Sequence, residues 1–370
     1  MSPKAIHRLI KIAGVDSRAA NIIKQEMLSR GGDAAAPWEL YKLDERKVDI
    51  ILMGTLRQFD ELCQKLALQP FGLPRLAEGI NKALYNYAKS LPTIEVGRFK
   101  LDLSARTHVM GVLNITPDSF SDGGRYFGHT TAVDQARQMV LDGADIIDIG
   151  GESARPGAEP VTSEEEINRV VPVIKELAGE LDVPISIDTY KPEVARRALD
   201  AGASIINDIS GLRDDKMIEL AVERCTPVVI MHMQGTPKDM QLKPSYVDVV
   251  AEVADWLDGQ AEKAATAGLP RDKILIDPGI GFGKNLEHNL ELMRRLSEFR
   301  SLGYPVVLGT SRKSFIGTVL DLPVEERIEG TLATIIYGVT QGVSIIRVHD
   351  VKEAMRASRM TDAIMGRGHR

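Results

Sequence analysis

Eight short runs rich in Val, Ile and Leu follow one another from residue 107 to the end of the chain, separated by longer segments of helical spacing. No other feature narrows the fold as far. The runs are THVMGVLN (107–114), ADIIDIG (144–150), VPISID (183–188), SIINDI (204–209), TPVVIMHM (226–233), KILID (273–277), YPVVLG (304–309) and VSIIRVHD (343–350). Each is nearly continuous in apolar residues, as strands covered on both faces must be. Amphipathic segments begin near residues 130, 163, 191, 214, 249, 285, 324 and 351. Ser163 stands three residues before Glu166 as a capping box, Pro192 follows Lys191 near a helix start, and Gly202 and Gly268 end helices. Eight βα units in about 260 residues predict an α/β fold of the TIM (β/α)8 barrel type, whose chemistry sits on the loops after the strand ends. An open doubly wound sheet is the alternative, because counting units does not show closure.

Residues 1–104 stand outside this repeat and are expected to form a small α/β or helical appendage, leaving 105–370 as the catalytic domain. Helix-like stretches cover about 17–30, 55–69 and 75–89, with one strand-like run at 48–54. No catalytic constellation is visible in the appendage, so packing or interaction is its expected role. Charge divides unevenly, +5 over residues 1–100 and −11 over the rest, an imbalance too mild for a dedicated nucleic-acid binder. The longest uncharged run, Gly330 to Ile346, is shorter than the roughly 20 apolar residues of a membrane span. Lys4, Arg8 and Lys11 interrupt any secretory signal. With only Cys63 and Cys225, neither a disulfide framework nor a cysteine metal site can form, and a cytoplasmic location is expected.

In a barrel, function would concentrate where strands end. Asn114 opens the polar, glycine-bearing loop NITPDSFSDGG (114–124), and the second strand runs into GGESARPGAEP (150–160), which holds Arg155 beside Pro156. Asp188, Asn207, Asp208 and Asp277 sit at the tips of apolar strands. Buried carboxylates there cost desolvation energy unless partnered, and no Lys or Arg follows directly in sequence, so a ligand with N–H donors would satisfy them. Helix or turn capping competes with that reading at Asp208 and Asp214. DPGIGFGKN (277–285) looks like a phosphate loop but fails both common patterns, because Asn285 follows Lys284 and no Gly stands at 284. Its small residues would let a flat ligand approach the backbone, with Phe282 for apolar contact. Arg347 and His349 alternate on one strand face as two inward cations, near GTSRKS (309–314), which suggests an anion site. Zinc-hydrolase and serine-triad motifs are absent from the sequence.

Taken in order, GVLNITPDSFSDGG (111–124), DIGGESARPGA (148–158), SIDTYKPEVARRALDAGASIINDISG (186–211), DPGIGFGK (277–284), GTSRKSFIG (309–317) and RVHDV (347–351) resemble the dihydropteroate synthases. The resemblance spans about 105–368. It implies a barrel enzyme that joins 6-hydroxymethyl-7,8-dihydropterin diphosphate to p-aminobenzoate, releasing diphosphate, with sulfonamides mimicking the arylamine. On matching positions, Asp188, Asn207, Asp277 and Lys313 would hold the pterin. Asn114, Arg347 and His349 would take the diphosphate with Mg²⁺, Asn114 being the metal contact, while Arg155, Pro156, Phe282 and Ser311 would frame the arylamine. The resemblance thus makes Asp188, Asp277, Lys313, Arg347 and His349 the catalytic set. Ala154 replaces the family's usual Thr near the pterin diphosphate, removing a polar contact of about 0.5–1.5 kcal/mol. A homodimer is implied, with no nucleic-acid or membrane partner. Two rivals remain: a pterin-dependent methyltransferase of the same superfamily, which has no need of a diphosphate site, and a decayed barrel serving as a binding module.

Overall fold

The computed structural model describes residues 2–38, 40, 46–115, 124–153 and 159–368. It divides into two compact units, Met1–Lys89 and Ser90–Arg370.

In the first unit, β1 (His7–Asp16), β3 (Lys47–Thr55) and β2 (Asp33–Ala35) form an antiparallel sheet in the order β1-β3-β2, and α1 (Ser17–Leu28), α2 (Leu56–Leu66) and α3 (Leu73–Ala88) complete it. The period-two pattern of β3 turns Val48, Ile50 and Leu52 inward onto Ile23, Met27, Phe59 and Leu62. Helix starts have local causes. Asp16 accepts from the Arg18 N–H at the head of α1, and Thr55 and Gln58 form a reciprocal capping box at the head of α2. The three expected helices and the strand at 48–54 are present. β1 and β2 are additional, the first because Arg8 and Lys11 interrupt its apolar residues, the second because three residues carry no periodicity.

The second unit opens with a hairpin, β4 (Thr93–Val96) and β5 (Phe99–Asp102). The barrel follows: β6 (His108–Asn114), α4 (Gly124–Leu141), β7 (Ile146–Gly150), α5 (Ser163–Glu180), β8 (Ile185–Asp188), α6 (Pro192–Ala201), β9 (Ile205–Asp208), α7 (Asp215–Arg224), β10 (Val228–Met231), α8 (Val249–Thr266), β11 (Ile274–Asp277), α9 (Leu286–Arg294), β12 (Val307–Leu308), α10 (Ser314–Leu320), α11 (Ile328–Thr340), β13 (Ile345–Val348) and α12 (Val351–Ile364). The eight strands β6–β13 are all parallel, and the last, β13, lies beside the first, β6. A bridge between Ile276 and Val306 closes the ring, with the Ile276 N–H donating to the Pro305 carbonyl at 3.0 Å. This is the (β/α)8 barrel, and the open sheet is excluded.

Alternation along the strands builds the barrel in layers. Ile147, Ile149, Ile187, Ile206, Ile230 and Ile276 face outward into the helix-covered core. Met110, Ile146, Ile205, Val229, Leu275, Val307 and Ile345 face inward and form an apolar plug. Ile94, Val96, Leu101 and Leu103, from the hairpin and just after it, pack against the plug from the strands' N-terminal side. The hairpin, which the sequence reading grouped with the appendage, therefore belongs to the barrel unit. The capping box also differs from expectation. Thr162, one residue earlier than Ser163, caps α5, and Glu166 is drawn into an ion pair with Lys191.

Candidate active site

Two residues beyond the plug, the same inward-facing positions turn polar. Asp148, Asp188, Asn207, Asp277 and Arg347 occupy them near the C-terminal ends of their strands. Arg347 Nε donates to Asp148 Oδ2 at 2.6 Å and Nη2 to Asp188 Oδ2 at 2.5 Å. Asn207 Nδ2 donates to Asp148 Oδ2 at 3.0 Å. The other Asp148 oxygen, Oδ1, is buried with no hydrogen-bond partner among the described residues. Sequence reading passed over Asp148, since it falls inside an apolar run. Its only signal was a charge two residues after the inward Ile146.

This network corrects two expectations. Asp188 does not wait for a ligand to neutralise it, because Arg347 reaches it from a strand 159 residues away. Arg347 is not a free rim cation: two of its three guanidinium nitrogens are held by carboxylates. Burial pushes the Asp188 carboxyl up to about 7, with Arg347 opposing and Asp148 adding to the rise.

Asp277, also buried, accepts from the Gly279 N–H at 2.7 Å. Desolvation raises its pKa, while that hydrogen bond and the charges of Lys313, Arg347 and Lys284 act against the rise. Lys313 stands with Nζ 3.9 Å from the centroid of the Phe282 ring, a cation–π contact that ties the loops after β11 and β12 together. Its burial pulls the ammonium down to about 7, against the pull of Asp277. Asp208 accepts from the N–H groups of Ser210 and Leu212, and Asp214 caps α7, so capping is the structural role of both.

His349 lies one residue past β13, its Nδ1 3.0 Å from Ser311 Oγ, which also accepts from the His349 N–H. Burial, reinforced by Arg347 and Arg312, lowers its pKa to about 4. The ring is neutral at pH 7, which replaces the expected pair of cations with one guanidinium and one hydrogen-bonding imidazole.

Asn114, the last residue of β6, pairs in register with Gly150. A Cβ at Gly150 would sit 3.6 Å from Asn114 Oδ1 and 3.7 Å from Asp188 Oδ2, so this glycine keeps a gap open between the two side chains. Ala154, Arg155 and Pro156 lie outside the described residues. The loop stems on either side of them are described. Lys191 Nζ donates to Glu152, to Glu166 and to the Val161 carbonyl at 2.5, 2.6 and 2.8 Å, and Tyr190 donates to Glu152 at 2.8 Å. All three ammonium protons are used.

Among the described residues no group of three or more His, Cys, Asp or Glu side chains could hold a metal ion. The protein offers a hard amide oxygen at Asn114, which suits Mg²⁺ only if phosphate oxygens and water complete the shell. Chemically, the barrel mouth combines acceptor carboxylates and an amide deep inside with cations and an aromatic ring above them. Such a cleft can read adjacent N–H groups on a flat heterocycle and stabilise negative charge developing beside it.

Comparison with known proteins agrees with this geometry. The profile of the family described as "Pterin binding enzyme" matches residues 110–349. The dihydropteroate synthase of Escherichia coli K12 is 50% identical over 265 residues, covering 72% of this chain and 94% of that protein. A probable bifunctional folylpolyglutamate synthase/dihydropteroate synthase of Haloferax volcanii is 41% identical over 363 residues, covering 96% of this chain and 43% of its own length. That match takes in most of the leading unit as well. Among solved structures, the Xanthomonas albilineans dihydropteroate synthase in complex with 7,8-dihydropteroate superposes with a TM-score of 0.68 at 39% identity, covering 74% of this chain and 99% of that one. A closed barrel with a polar mouth, a profile spanning most of that barrel and half-identical relatives lead to one conclusion: the chain belongs to the dihydropteroate synthase family of pterin-binding enzymes.

Proposed function

We propose that this chain condenses 6-hydroxymethyl-7,8-dihydropterin diphosphate with p-aminobenzoate to give 7,8-dihydropteroate and diphosphate. The observation that carries the reading is the layer of Asp188, Asn207 and Asp277 set directly above an apolar plug, with Arg347 and Lys313 beside it. A pterin's pyrimidine edge presents adjacent N–H donors that a carboxylate matches with two short hydrogen bonds, and an amide reads the neighbouring donor and acceptor. Asp277, Asn207, Asp188 and Lys313 thus bind the pterin. Arg347, His349 and Asn114 meet the diphosphate, while Phe282, Ser311, Arg155 and Pro156 frame the arylamine, with Ala154 alongside. The relatives and structure reported above are dihydropteroate synthases, which sets aside the methyltransferase reading.

In the reaction, the bond between the pterin methylene carbon and the diphosphate oxygen breaks, and its electron pair leaves with diphosphate. The dihydropterin ring delocalises the positive charge, the arylamine lone pair forms the new C–N bond, and the nitrogen then releases a proton to solvent or diphosphate. The arylamine is neutral and nucleophilic at pH 7, so no strong general base is required. The protein's contribution is to hold the ring, orient the methylene carbon and place cationic donors where charge develops. Asn114 would hold Mg²⁺, which would supply charge neutralisation of the leaving group. We place the enzyme in the cytoplasm as a homodimer. Exposed apolar side chains on α10, α11 and α12, among them Val319, Ile336, Met360 and Ile364, support the second point. No helix among the described residues is long and apolar enough to cross a membrane.

The direct test supplies the pterin diphosphate, Mg²⁺ and p-aminobenzoate, and follows diphosphate release. Release is expected only when all are present; methyl transfer without diphosphate release would overturn the proposal. A pH test follows from Asp188. Its folded pKa, about 7, lies above the ordinary carboxyl value of 3.8, so its stabilising contribution to the free protein is complete below pH 3.8 and lost as pH rises through 7. Pterin binding has the opposite sign, because N–H donors require the carboxylate. Affinity is expected to weaken by up to about tenfold per pH unit below 7, with proton release on binding. Titration calorimetry in two buffers of different ionisation enthalpy measures this, and zero proton release between pH 6 and 7 would show Asp188 already ionised.

A further inference from the structure

Lys284 closes the Gly-Phe-Gly-Lys segment that fails as a phosphate loop, and the chemistry above leaves it without a task. It is 2% exposed. Its Nζ lies 2.9 Å from the Phe282 carbonyl oxygen, 2.9 Å from His232 Nδ1 and 3.3 Å from the His232 carbonyl oxygen, three acceptors for three N–H donors. Burial draws the Lys284 ammonium down to about 7, against the pull of Asp277. In its protonated form it can only donate, so His232 Nδ1 then accepts and the imidazole proton lies on Nε2. The imidazole is neutral, its pKa driven down by burial and by the charge of Lys284, and its ring meets Trp256 edge-on at a centroid distance of 5.0 Å.

His232 follows the last residue of β10, and Phe282 sits in the loop after β11. The backbones of these two loops touch. At Gly279, φ +68°, a Cβ would come within 1.9 Å of the His232 carbonyl oxygen, and at Gly283, φ +61°, within 2.4 Å of the Gln234 carbonyl oxygen. Only glycine permits that approach. Tyr246 donates to the Gly283 carbonyl at 2.9 Å, and Asn289 accepts from the Gly281 N–H at 2.7 Å. The Phe282 carbonyl is the one held by the buried Lys284 Nζ.

We propose that Lys284 is a positioning residue: by joining the Phe282 carbonyl to His232 it fixes the sixth βα loop on the fifth and so sets the place of the Phe282 ring against the arylamine. This rests on the reading of Phe282 as an arylamine contact. Lys284 itself touches no substrate.

The test uses the full chain with Lys284→Met and Lys284→Gln, each substrate being varied in turn. The Met variant is expected to raise KM for p-aminobenzoate about tenfold or more, as loss of one charge-assisted hydrogen bond would, and to leave KM for the pterin diphosphate within about twofold. The Gln variant should fall between Met and wild type, since its amide can still donate to Phe282. Nitrogen-15 NMR of His232 should show an unprotonated Nδ1 in the wild type and a mixed tautomer in Lys284→Met. Equal rises in both KM values, or a smaller active fraction with both unchanged, would assign Lys284 to packing alone and overturn the proposal. If Lys284→Met does not fold, Lys284→Gln decides by the same split. A wild type that releases no diphosphate would refute the parent reading instead, and the tautomer measurement would still report on the Lys284–His232 bond.

Discussion

Asp277→Asn is expected to lower kcat/KM by about 10²–10⁴-fold while changing the melting temperature little. The carboxylate is to accept two N–H groups of the pterin, and each hydrogen bond to a charged group is worth about 1.5–3 kcal/mol. An asparagine accepts at one atom and turns an NH₂ donor toward a donor. Selective sites lose most when a buried hydrogen-bonding partner is mismatched. The fold has less reason to suffer. Desolvation already raises the Asp277 pKa, so a neutral side chain there is tolerated, and the amide oxygen can keep the Gly279 N–H. Diphosphate release under saturating and limiting pterin gives the kinetic loss, and calorimetry gives the melting temperature. Parallel loss of fold and activity would make Asp277 a structural residue.

Arg347→Met should damage both activity and stability. It leaves Asp148 and Asp188 buried together without the guanidinium that lies 2.6 and 2.5 Å from them. Removing one partner of a buried ion pair destabilises by about 3–5 kcal/mol, because the remaining charge is uncompensated. For a unit of this size a drop of roughly 10 °C follows. The deficit should shrink in acid. Without Arg347 the folded pKa of Asp188 rises further above its unfolded value, so the stability this group contributes is present at low pH and lost as pH climbs through the folded pKa. Denaturant midpoints at pH 5 and pH 8 measure the effect, and Arg347→Met with Asp148→Asn should recover part of it through non-additivity. Equal midpoints for variant and wild type at pH 8 would show that solvent, rather than Arg347, compensates the carboxylates.

The residues differ in how much of their role could be read in advance. Asp188, Asn207 and Asp277 were legible because a polar residue at the tip of an apolar strand is a local anomaly. Asp148 was hidden by lying within such a strand, and Lys284 by belonging to a loop whose familiar patterns failed. His349 was read as a cation because its ordinary pKa allows it; the burial that keeps it neutral is made by other strands. The hairpin at 93–102 had no visible place until its apolar side chains met the barrel plug.

Sequence alone determined the number and order of βα units, because apolar strand runs and helical spacing are local properties of the chain. Tertiary structure alone decided that the ring closes between Ile276 and Val306, that Arg347 neutralises Asp148 and Asp188, and that Lys284 anchors the Phe282 loop to His232. Those outcomes depend on desolvation and on charges brought within hydrogen-bond reach across as many as 199 residues of chain, and no local pattern records such a distance.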